Sequence, residues 1–182
     1  MIRVASLKDM VHAKYTKPDI AGLSPKEQLA MLAPVTRNLI QTQYSTYNRS
    51  LLPALRKAGL VVVESHEAMT KEQKAFTDQY FEESIYPVLT PMAMDSARPF
   101  PLVRNKTLNI GALILKKGKK EKEELEFATV QVPSVLPRIV EIPCQKEGKK
   151  AVILLEEIIE RNIGKLFLSN QVVCACPYRI IR

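Results

Sequence analysis

At Gly59 the hydrophobic pattern changes its period, and that change limits what the chain can fold into. Before it, Leu29, Leu32, Val35, Leu39, Ile40, Tyr44, Tyr47, Leu51 and Leu55 recur every three to four residues. That spacing puts them on one stripe of a helix. Directly after it, Leu60, Val61, Val62 and Val63 form a short β-branched run, which reads as a buried strand. A helical segment, 1–58, is therefore expected to join a mixed segment, 59–182.

The helical segment has clear punctuation. Residues 1 to about 14 carry Ile2, Val4, Leu7, Met10 and Val11 at helical spacing, and the loop YTKPDIAGL follows. Ser24, Pro25 and Glu27 then form a helix start, with serine as N-cap, proline in the first turn and glutamate closing a capping box. Pro34 and Pro53 lie inside the long helix and are expected to kink or break it.

Beyond Gly59 the elements are shorter. Thr70 and Gln73 open another helix by the capping-box rule, running to about Ile85. The stretch YFEESIYPVLTPMAMDSARPFP, 80–101, holds four prolines. It also carries apolar residues that a solvated linker would not need, so it is expected to be a packed crossing from a helix to a strand. Residues 107–115 alternate, with Leu108, Ile110, Ala112 and Ile114 on one face. Residues 127–132 form a second strand across the charged turn KKGKKEKEE, which makes an antiparallel hairpin. Residues 138–142 and 151–154 pair across CQKEGKK, 156 to about 166 is helical, and 172–181 is extended. The fold class expected is α+β: a helical N-terminal segment followed by a mixed, largely antiparallel sheet with flanking helices. Both ends read as cut from a longer chain, since one starts in a helix face and the other stops in PYRIIR.

The chemistry-bearing residues do not assemble a catalytic pattern. His12 and His66 are the two histidines, and neither has a clear orienting carboxylate in sequence. Cys174 and Cys176 face the same way on a strand. Two thiols without a further Cys or His pair fall short of a zinc site, so they are expected to be small core-facing side chains. Cys144 is the third, and an odd count gives no complete disulfide framework, which suits a cytoplasmic chain. Glu121, Glu123, Glu124 and Glu126 mix with five lysines in a solvated turn, and Glu156, Glu157 and Glu160 sit near a helix start, where they suit the dipole. There is no phosphate-binding glycine loop, no apolar run long enough to span a membrane and no signal peptide. The catalytic, cofactor-binding and metal-binding sets within this chain are therefore expected to be empty.

Charge is the remaining signal. Of the net +8, residues 1–58 contribute +6, from nine Lys/Arg against three Asp/Glu. That basicity suits either a solvated helical surface or a module that binds a polyanion. Nucleic acid is not expected, because Tyr44 and Tyr47 lie in the apolar stripe of a helix and not on an exposed strand face.

Five stretches taken in order, RVASLKD, LSPKEQL, YFEESIYPVLTPMAMDSARPFP, NKTLNIGALIL and FATVQVPSVLPRIVEIP, resemble the long type of bacterial polyphosphate kinase. The resemblance runs along nearly the whole chain and is most specific at Tyr80–Pro101 and the following VPSVLPR. It implies an enzyme that moves the terminal phosphate of ATP to polyphosphate, reversibly, with magnesium and through a phosphohistidine. It also implies a helical N-terminal domain, a head domain that contributes to homo-oligomer contacts, and two further domains that carry the nucleophilic histidine. Association of the full enzyme with a membrane is also compatible with it. Residues 1–58 resemble the later part of the N-terminal domain and 59–182 the first part of the head domain. An asparagine that helps hold adenine would lie just ahead of residue 1. Neither His12 nor His66 matches the nucleophile's motif. The resemblance thus implies a scaffold and dimer-contact piece that is inactive alone and binds neither ATP nor magnesium by itself. The alternative is a non-catalytic, basic, polyanion-binding module.

Overall fold

The computed structural model describes residues 2–94, 100–116, 125–145 and 148–181. They divide into two compact units, one ending at Ala54 and the other beginning at Leu55.

The first unit is a helical pair. Helix α1 spans Ile2–His12 and α2 spans Pro25–Thr46. The capping box at Ser24 is formed as expected. The Ser24 backbone N–H donates to the Glu27 carboxylate at 2.8 Å and the Glu27 N–H donates back to the Ser24 hydroxyl at 3.4 Å. The Ser24 hydroxyl also donates to the Glu27 carboxylate at 2.6 Å, and this bond, with the one from the Ser24 N–H, holds the carboxyl below its ordinary pKa. Leu7 is buried between the helices, and Arg3 donates to the Gln28 side chain at 2.8 Å. The apolar stripe of α2 is largely uncovered: Met31, Val35, Leu39, Ile40 and Tyr44 are all exposed.

The two prolines expected to kink or break the long helix act differently from each other. Helix α2 runs through Pro34 without a break. The distortion lies instead in a π-helical turn, Tyr47–Leu51, between α2 and α3, Leu52–Lys57. Leu52 donates five residues back to the Tyr47 carbonyl, immediately before Pro53. The same device recurs in the second unit. Helix α4, Lys71–Tyr80, continues into a π turn, Phe81–Ile85, where Tyr86 donates to the Phe81 carbonyl just ahead of Pro87. A proline ring crowds the carbonyl four residues back, and a wider turn moves that carbonyl aside.

The described residues of the second unit form two sheets, not the single one expected. Strand β1 (Leu60–Val63) pairs parallel with β6 (Lys150–Leu154), which pairs antiparallel with β5 (Ile139–Ile142), in the order β1-β6-β5. The other sheet is antiparallel throughout, in the order β2-β4-β3-β7, from Pro91–Ala93, Leu125–Gln131, Leu108–Lys116 and Asn170–Arg179. The α+β class and the two hairpins are as expected. The tip of the β3–β4 hairpin lies outside the described residues.

The inner face of β3 carries Ile110, Ala112 and Ile114, all buried, as the alternation requires. Helix α5, Leu155–Arg161, packs against β3 and β7 of one sheet and β6 of the other. Its Ile158 and Ile159 are almost fully buried, and each such side chain stabilises by about 1.5–3 kcal/mol.

The proline-rich stretch is only partly a packed crossing. Ile85 is buried and Leu89 packs on the core, but Val88, Met92 and Phe100 are exposed. Between them, Pro91–Ala93 forms an edge strand against β4, with Pro91 opposite Val130. A proline is tolerated there because the first residue of an edge strand needs no ladder N–H. Pro99 lies outside the described residues.

Cys174 and Cys176 are exposed, not core-facing. The register between β3 and β7 slips at Leu113/Ile114: Cys174 lies opposite Leu113 and Val172 opposite Ile114, leaving Val173 unpaired. The bulge resets the alternation, so Val172 and Ala175 pack on the core in place of the cysteines.

Candidate functional site

The sequence-selected residues do not converge. His12 ends α1 and is exposed. His66 opens a short 3-10 turn, His66–Ala68, in the second unit. Cys144 is half-buried, Cys174 and Cys176 are exposed, and Glu126 lies in β4, while Glu121, Glu123 and Glu124 are outside the described residues. Among the described residues no three His, Cys, Asp or Glu side chains gather to hold a metal. The described residues do not fit a magnesium site.

His66 does sit in a charged environment. Its Nε2 is buried without a hydrogen-bond partner. Burial, with Arg161 and Lys74 nearby, lowers its pKa below the ordinary histidine value, against a weaker pull from Asp78 and Glu67. Glu157, on α5, is pushed up by burial and by Glu160, Glu156 and Glu67; Glu160 is pushed up by burial. Arg161 and Asp78 form an ion pair at 3.5 Å. This imidazole has a buried, unpartnered nitrogen and, among the described residues, no carboxylate hydrogen-bonded to it. A general base is oriented by such a partner, so the geometry supports a packing role.

The signs predict opposite pH responses. A carboxylate whose folded pKa is raised destabilises the fold once pH rises through the unfolded value toward the folded one. Glu157→Gln is therefore expected to raise Tm at pH 7.5 by about 2 °C, with the gain vanishing near pH 4. A histidine with a depressed folded pKa does the reverse: stability falls as pH drops below its unfolded value, and His66→Gln should flatten that slope. Thermal unfolding followed by circular dichroism from pH 4 to 8 reads both.

Sequence reasoning missed two features. One is the clamp between Arg138 and Glu156, in which Arg138 Nε donates to both carboxylate oxygens at 3.0 and 3.2 Å. In sequence Glu156 is only one of three acids near a helix start; in the fold it is buried, with its side chain 5% exposed. The other is a groove of about 480 Å³ along β1, with Arg56, Glu64 and Lys149 on its rim.

Comparison with known proteins gives the family. The description "Polyphosphate kinase middle domain" matches residues 72–182 and "Polyphosphate kinase N-terminal domain" matches residues 1–63. The chain belongs to the polyphosphate kinase family. Polyphosphate kinases from Lactiplantibacillus plantarum and Halalkalibacterium halodurans are 43% and 42% identical to it over its whole length. A polyphosphate kinase from Bacillus anthracis is 41% identical. The chain spans about a quarter of the length of these relatives, 24–26%. The crystal structure of polyphosphate kinase from Porphyromonas gingivalis superposes with a TM-score of 0.71 at 24% identity, over 85% of this chain and 24% of that one. At that identity the likeness speaks for the fold. The ordered motifs that resembled a polyphosphate kinase are thus those of a family member, and the chain is a partial-length relative of a phosphotransferase. Among the described residues no helix is long and apolar enough to cross a membrane.

Proposed function

We propose that this chain is the scaffold and subunit-contact portion of an ATP:polyphosphate phosphotransferase. The whole enzyme makes inorganic polyphosphate from ATP with magnesium, through a phosphohistidine carried by a part of the polypeptide outside these residues, and works in the cytoplasm. The chain itself contributes no catalytic, cofactor-binding or metal-binding residue. The observation that carries the contact role is exposed apolar surface on regular elements: Val35 and Leu39 on α2 are 67% and 69% exposed, and Val173 on the edge strand β7 is 51% exposed. Surface of that kind marks a place where other protein docks. Sedimentation velocity over a concentration series tests it: association is expected at high concentration, and a clean monomer throughout would contradict the contact role.

The charge of residues 1–58, +6 from nine basic and three acidic side chains, favours a second reading. A polyanion-binding module would hold polyphosphate with an affinity that falls steeply with salt. A salt titration of fluorescent polyphosphate decides it: no binding even at low salt removes the reading.

A further inference from the structure

Among the described residues the outer edge of β1 has no strand paired to it, since β6 lies on its other side. The register sets Leu60 opposite Lys150 and Val63 opposite Ile153, and the Lys150 N–H donates to the Gly59 carbonyl at 2.8 Å. Backbone groups alternate sides along a strand. Gly59, Val61 and Val63 therefore turn toward β6, and Leu60, Val62 and Glu64 present their N–H and C=O groups to the open edge. The groove of about 480 Å³ lies along this strand.

The rim is polarised. Arg56 and Lys149 stand at the Leu60 end, since Lys149 precedes the residue paired with Leu60; Glu64 stands at the Val63 end. All three are exposed, and none is in an ion pair with another described residue.

We propose that β1 pairs antiparallel with β1 of a second copy of this chain across a two-fold axis at Val62, joining two three-stranded sheets into one. The proposal rests on the subunit-contact reading and adds a contact surface separate from those on α2 and β7. A two-fold contact must complement itself, and this one does. Placing Val62 opposite the second copy's Val62 sets Glu64 of each chain against the Arg56 and Lys149 end of the other. It also brings the outward backbone groups of Leu60, Val62 and Glu64 into register for ladder hydrogen bonds. Parallel pairing would place like charges side by side, which is destabilising. The pairing also removes an open edge, which otherwise templates indiscriminate strand addition.

Charge swapping tests it. Glu64→Lys makes both rim ends cationic, and Arg56→Glu with Lys149→Glu makes both acidic. Each variant alone should self-associate about tenfold more weakly at low salt, while a one-to-one mixture should regain the parental affinity as a heterodimer. Val62→Pro removes an outward N–H but no bond to β6, and should abolish the association while leaving the far-UV circular dichroism unchanged. If the parent self-associates and neither Glu64→Lys nor Val62→Pro weakens it, the β1 pairing is wrong and the contact reading stands on another surface. A mixture that fails to recover overturns the charge match, and a parent that stays monomeric removes both readings.

Discussion

Phe81→Ala is expected to cost about 3–5 kcal/mol, a large share of the stability of a domain this size. Phe81 is 0% exposed and lies in the π turn that joins α4 to the proline-rich stretch. Its ring meets Tyr86 edge-on at 6.0 Å, and Lys165 Nζ sits 5.4 Å from its centroid. Lys165 is in turn held by Glu82 at 2.6 Å. Truncation would leave a cavity where α4, the stretch toward β2 and the short turn bearing Lys165 converge. Phe81→Leu, which keeps most of the volume, should cost about 1–1.5 kcal/mol. Phe76 is the control: it stacks on Tyr80 at 6.3 Å but is 37% exposed. Phe76→Ala should cost about 1 kcal/mol. Urea unfolding ranks the three, and a Phe81→Ala variant no less stable than Phe76→Ala would contradict the placement of the core.

The second large effect is at the Arg138–Glu156 clamp. The Leu155 N–H donates to the Arg138 carbonyl at 2.8 Å, so backbone and side chain together fasten the start of α5 to the residue before β5. The carboxylate beside it raises the pKa of the Arg138 guanidinium. The two partners are unequally buried, with side chains 56% exposed for Arg138 and 5% for Glu156. Arg138→Ala therefore strands a buried carboxylate. A fully buried pair would lose about 3–5 kcal/mol on such a deletion; with the arginine half in water, about 2 kcal/mol is expected at pH 7. Adding Glu156→Gln to Arg138→Ala should recover part of the loss, because the uncompensated charge is gone. Equal stability of Arg138→Ala and its parent would show that the pair does not act as a clamp.

Much of this architecture was legible because local signals agree with it. The capping boxes at Ser24 and Thr70 both form, the latter with the Gln73 N–H at 3.3 Å from the Thr70 hydroxyl. Period-two alternation placed Ile110, Ala112 and Ile114 inward. What stayed hidden depends on long-range partners. No local pattern tells Leu60–Val63 to pair parallel with a strand some 90 residues later, or Pro91–Ala93 to add to β4. The orientation of Cys174 and Cys176 turned on a bulge at Val173, which only the pairing with β3 creates. Glu156 reads as one of several helix-start acids until Arg138, 18 residues earlier, is brought against it. On function, the order of the motifs carried the family, while the groove on β1 required the sheet order.

The central claim is that these residues support a phosphotransferase without supplying its nucleophile. Incubating the purified chain with magnesium and γ-labelled ATP, then separating protein under alkaline conditions that preserve phosphohistidine, tests it most directly. The account predicts no label above that of a His12→Asn/His66→Asn double variant. Stoichiometric, acid-labile phosphate on His12 or His66, lost in that variant, would contradict it.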